Sequence, residues 1–174
     1  MPKENKKPAL TSPYLHIKYH EPWYLDTEIP DLDQHMGNLR RVLRILDKKT
    51  NILESYQDER LEQNIQLLLL NEYKELQVQR YPNDVYLGEF ILLDDPKDKR
   101  RFSLNYLMEG KYPLILGHIP LKHQLQVKNL MASKRNIKLA TQIDGGPYKI
   151  ITYEEGDLKI VEKRRPYSLR VILY

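Results

Sequence analysis

His16 and His20 stand four residues apart with Glu21 beside them, three side chains of the types that ligate zinc. On a helix the two imidazoles would share a face. However, Leu15, Ile17 and Tyr19 alternate with polar neighbours and Pro22 follows, which is the pattern of extended chain. At a strand's rise of ~3.3 Å per residue the rings then lie over ~12 Å apart, so they are assigned no metal. His118 and His123 flank Pro120 and would form an acid–base pair if the fold brought a carboxylate to them. None of Ser12, Ser55, Ser103, Ser133 and Ser168 sits in a Gly-x-Ser-x-Gly elbow. Gly145-Gly146 leads into Pro147 and a further strand rather than a helix N-terminus, so it reads as a hairpin turn and not a phosphate cradle. The carboxylate pairs Asp94-Asp95 and Glu154-Glu155 fall in turns, where acidic side chains serve local hydrogen bonds. The expectation is no catalytic residue, no metal and no cofactor.

Basic clusters carry the stronger signal. Lys97, Lys99, Arg100 and Arg101 crowd the tip of an expected hairpin, and Lys134-Arg135 close an expected helix. Lys163, Arg164 and Arg165 precede the last strand, and Arg40, Arg41 and Arg44 fall mostly off the apolar stripe of the first helix. Gathered on one side, these cations would track phosphates, with tyrosine or arginine planes stacking on unpaired bases. Thirteen tyrosines against two phenylalanines supply many amphipathic rings of the kind found at interfaces.

These residues have to be positioned by a chain of 174 residues, long enough for one compact domain that buries roughly 70% of its unfolded surface. With no cysteine in the chain, thiolate chemistry, zinc ribbons and disulfide frameworks are excluded. A net charge of +4 and a pI near 9.0 favour anionic partners: RNA, a nucleoprotein surface or an anionic membrane surface. The longest apolar run is Leu67-Leu68-Leu69-Leu70, far short of a transmembrane segment, and no signal or transit peptide is evident. The chain is therefore expected in the cytoplasm.

Residues 1–12 read as a mobile basic arm and residues 13–174 as a single globular α+β domain. Tyr14 to Tyr24 is an aromatic extended segment able to dock onto other protein subunits. Pro30-Asp31 opens a first amphipathic helix capped by Asp31 or Asp33, with Met36, Leu39, Val42 or Leu43, and Leu46 facing the core. A second helix is expected between Ile52 and Leu76. Strands follow over 85–93 and 101–107 as a hairpin, with a short or edge strand over 112–119. A third helix runs from Leu121 to Lys134, with Leu121, Leu125 and Leu130 or Met131 on one side. Strands over 137–143, 148–153, 158–161 and 169–174 complete the chain, with turns at Asp144 to Pro147 and Glu154 to Asp157. The expected fold is α+β, with two N-terminal amphipathic helices packed on a mostly antiparallel sheet and a third helix inserted before the C-terminal hairpins.

A helix pair before an antiparallel sheet, with Gly110 to Pro120 between strands, is loosely similar to chorismate-lyase-like folds. That resemblance implies a small-molecule enzyme or binder with a pocket between helices and sheet, although Glu89 stands where such a site takes an arginine. A lysine-rich arm on a small basic domain also looks like a viral matrix or ribonucleoprotein-associated protein. The leading expectation is a non-enzymatic binding or assembly protein engaging RNA or a nucleoprotein surface. The small-molecule enzyme, using His118 or His123 with Arg101 or Arg165, and a scaffold subunit of a larger complex are the alternatives.

Overall fold

A computed structural model describes residues 14–15, 24–49, 66, 70, 75–81, 86–87, 89–108 and 110–174. The expected arm, most of the Tyr14 to Tyr24 segment and the second helix lie outside these residues, apart from Gln66 and Leu70, both helical and exposed.

The protein is mostly β, with two antiparallel sheets, which overturns the expected α+β arrangement of two N-terminal helices packed on one sheet. Nine strands are described: β1 Tyr14–Leu15, β2 Leu25–Glu28, β3 Glu75–Gln79, β4 Tyr86–Leu87, β5 Phe90–Asp94, β6 Phe102–Tyr106, β7 Leu114–His118, β8 Leu139–Glu154 and β9 Asp157–Leu173. The larger sheet has the order β1-β4-β8-β9-β2, with β3 also paired to β8, and the smaller has the order β5-β6-β7. Two α-helices have described bounds, α1 Met36–Lys49 and α2 Gln124–Ala132.

The shift towards β comes from the C-terminal third. The expected turn at Asp144 to Pro147 is instead a bulge within one strand, where the β8–β9 register slips between Asp144 and Gly146. Gly145 and Gly146 adopt φ of +82° and +77° there. A Cβ on Gly145 would sit 1.9 Å from the Pro166 carbonyl oxygen, so only glycine lets β9 pass at that point. Lys163 to Pro166 runs on as strand, and β8 and β9 become one ribbon of sixteen and seventeen residues. Its turn is the expected one: Glu155 and Gly156 both have positive φ, the two-residue geometry that matches strand twist.

Helix α1 presents the expected stripe. Leu39, Val42 and Leu46 are fully buried and Leu43 nearly so, in one core with Leu25, Phe90, Leu104, Leu116 and Leu169 drawn from both sheets. Each such side chain contributes about 1.5–3 kcal/mol on burial. Asn38 ties α1 to β7 by donating to the Ile115 carbonyl at 2.8 Å. In β6 all five residues are buried, and the polar ones find partners: the Asn105 amide donates to Ser103 Oγ at 2.8 Å and to the Ser103 carbonyl.

Helix α2 departs from the expected face. Its buried residues are Gln124 and Val127, whereas Leu121, Leu125 and Met131 are exposed. Gln124 explains the orientation: its Oε1 accepts from the Phe102 N–H at 2.8 Å and its Nε2 donates to the Ile119 carbonyl, so a polar side chain anchors the helix to the end of the smaller sheet.

Candidate functional site

Three chain segments converge on His118, the last residue of β7. Strand β2 pairs with β9 and then delivers Ile29, Pro30 and Asp31 into one turn of 3-10 helix, Leu32–His35. Asp31 does not cap that turn as the sequence suggested. Its Oδ1 accepts from the His118 backbone N–H at 2.8 Å, and its Oδ2 lies 2.7 Å from His118 Nδ1. On the other side of the ring, Nε2 lies 2.8 Å from Oδ2 of Asp95, which leads out of β5 and also accepts from the Lys97 N–H. Ionised carboxylates only accept, so with both ionised each ring nitrogen of His118 must carry a proton. Burial pushes the Asp31 carboxyl up, but the ring and backbone N–H of His118 outweigh it and leave the group below the ordinary carboxylate range. Asp95 is also lowered, first by the Lys97 N–H and then by His118. His35 completes the group, its ring 5.9 Å from that of His118.

A second convergence is cationic. Tyr167 on β9 lies over the bulge, and a Cβ on Gly146 would meet its ring at 2.4 Å. Tyr81 packs 6.3 Å from Tyr167 and is hydrogen-bonded through its hydroxyl to Asp47 Oδ1 of α1 at 3.2 Å. Asp47 Oδ2 in turn holds the Arg80 guanidinium at 2.6 Å. Burial raises the Tyr167 hydroxyl above its ordinary value. Arg80, Arg164 and Arg40 are close enough to pull it down, and Asp47 to push it up. Three arginines, from α1, from the residue after β3 and from β9, therefore act electrostatically on one half-buried tyrosine. Arg80 Nε is buried and has no hydrogen-bond partner.

The cations singled out from sequence fall in different places. Arg40 and Arg164 join the Tyr167 group; Arg41 and Arg44 share α1 with Arg40 and are exposed. Lys163 and Arg165 lie opposite Tyr148 and Gly146 in the β8–β9 register, with Arg165 5.0 Å above the Tyr148 ring and 4.0 Å from Asp144. Alternate residues of a strand point to opposite faces, so the ribbon carries positive charge on both. Lys97, Lys99, Arg100 and Arg101 belong to the β5–β6 turn of the smaller sheet, where Arg100 is paired with Asp98 at 3.1 Å. Lys134 and Arg135 follow α2, and Arg135 lies 5.5 Å over the Tyr24 ring. His123 precedes α2, whereas His118 is engaged by Asp31 and Asp95.

Asp31, Asp95, His35, Asp47, Arg80, Tyr81 and Tyr167 were not singled out from sequence as site residues. One signal was present: Gly117 inside a strand marks a close approach of other atoms, here Ile29 and Asp31.

No family model, no curated protein and no solved structure matches the chain. The fold and its two polar centres define a mostly β, two-sheet protein with a carboxylate–imidazole–carboxylate cluster and an arginine–tyrosine cluster. Among the described residues no helix is long and apolar enough to cross a membrane.

Proposed function

We propose that this is a non-enzymatic binding protein for a phosphate-bearing polyanion, with single-stranded RNA as the partner of choice. The carrying observation is that cations from three separate segments, Arg40 of α1, Arg80 after β3 and Arg164 of β9, each lie near enough to Tyr167 to pull its hydroxyl down electrostatically. Arg80 is neutralised by Asp47, whereas Arg40 and Arg164 have no carboxylate within ion-pair distance among the described residues. A guanidinium offers bidentate contacts to phosphate, and a half-buried ring such as Tyr167 offers a stacking plane of the kind that single strands use. Lys163 and Arg165 flank Arg164 on β9 but point to the opposite face of the ribbon, so they are not part of this group. The test is fluorescence anisotropy of a labelled single-stranded RNA. The reading expects saturable binding that weakens when Arg40→Ala and Arg164→Ala are combined; binding unchanged in the double variant contradicts it.

A second reading has its own support in the buried Arg80 Nε, which lacks an acceptor and would be satisfied by a small anion. Under that reading inorganic phosphate or a dicarboxylate binds to the wild type and RNA does not.

A further inference from the structure

The binding reading leaves the cluster around His118 unused. Asp31 Oδ2 is shared: His118 Nδ1 lies 2.7 Å from it and His35 Nε2 lies 3.8 Å from it. One potential ligand atom from each of the three residues lies within 4.8 Å of the others. The 3.8 Å separation is too long for a hydrogen bond, and His35 has no hydrogen-bond partner among the described residues. A second imidazole held just beyond reach of a shared carboxylate oxygen leaves room for an ion between them. Tetrahedral donors at 2.0–2.1 Å from zinc stand roughly 3.3–3.4 Å apart, between the two separations seen here.

The surroundings are those of a built ligand set. A metal-ligating histidine characteristically donates its other ring N–H to a carboxylate, and His118 Nε2 faces Asp95 at 2.8 Å. The second oxygen of Asp31 is fixed by the His118 backbone N–H, which leaves Oδ2 as the single donor. The three side chains are 12–21% exposed, so the group is mostly covered but not sealed from solvent. We infer that Asp31 Oδ2, His35 Nε2 and His118 Nδ1 bind one divalent first-row transition-metal ion. Two imidazoles with one carboxylate suit zinc, iron(II) or cobalt(II) better than magnesium or calcium. As the ion enters, the proton shared between Asp31 and His118 Nδ1 leaves to solvent, and Nε2–H remains on Asp95.

The test uses the full chain, stripped with a chelator and titrated with cobalt(II), then zinc(II). The expected result is one cobalt per chain, with visible absorption bands that zinc abolishes. His35→Ala should weaken binding about tenfold or more with the circular dichroism spectrum unchanged, because the His35 side chain makes no hydrogen bond to any of the described residues. Asp95→Ala should weaken binding about 10–100-fold through loss of the outer partner. Absence of stoichiometric binding, or wild-type affinity in His35→Ala, overturns the site and leaves Asp31, His118 and Asp95 as a structural clamp. RNA binding by the Arg40 and Arg164 group is measured separately and stands or falls on its own.

Discussion

Gly117 and Asp31 are in such close contact that a Cβ on Gly117 would stand 2.7 Å from Asp31 Oδ1, with Ile29 Cγ2 at 2.3 Å. Gly117 also holds a φ of +145°, beside the register shift of the β6–β7 pair. The position of the Asp31 carboxylate, and through it the orientation of His118, depends on a missing side chain. Gly117→Ala should cost about 1–3 kcal/mol from overpacking alone, with further loss from the left-handed backbone. Gly110→Ala, at φ +66° with nothing within 4 Å, should cost only about 1 kcal/mol. Chemical denaturation of the two variants checks the difference, and equal losses would contradict the close-contact account.

The stripe of α1 and the outer side of α2 should respond oppositely to truncation. Leu39→Ala or Leu46→Ala removes a fully buried side chain and should cost about 2–5 kcal/mol. Leu125, 69% exposed, should tolerate alanine within about 0.5 kcal/mol. Thermal or urea unfolding of the three variants tests the packing directly.

Alkali should weaken the fold through Tyr81. Burial, then the Asp47 charge, pushes its hydroxyl well above the ordinary value of about 10. A group raised in the folded state contributes stability that is present below its unfolded pKa and is lost as pH rises through the folded one. Unfolding free energy should therefore fall above about pH 10, and Tyr81→Phe should flatten that fall. Tyr106 and Tyr167, raised mainly by burial, account for the remaining slope. A pH series of denaturation curves on wild type and variant is the measurement.

Local periodicity made part of this fold legible. Leu39, Val42, Leu43 and Leu46 repeat at helical spacing, and they are buried in α1. Phe102, Leu104 and Tyr106 alternate, and they pair with β5 in the expected hairpin. What local pattern hid was decided by distant partners. Asp144 to Pro147 has turn chemistry, but Pro166 and Tyr167 on β9 use its glycines as a bulge. Leu121 and Leu125 look like a core stripe, but Gln124 meets two backbone groups at the end of the smaller sheet and turns α2 the other way. The sites were hidden for the same reason. Asp31 and His118 are 87 positions apart, and Asp31 is indistinguishable in sequence from an ordinary helix cap. Arg40 and Arg164 were visible as cations, but their shared electrostatic influence on Tyr167 depends on how α1 and β9 are placed.

The central claim is that Arg40 and Arg164 act together on phosphates, and the salt dependence of RNA affinity tests it most directly. Each phosphate neutralised on a single strand contributes roughly −0.7 to the slope of log affinity against log salt. The account expects a wild-type slope of roughly −1.4, most of it lost when both arginines become alanine. A wild-type slope near zero, or an unchanged slope in the double variant, would contradict it.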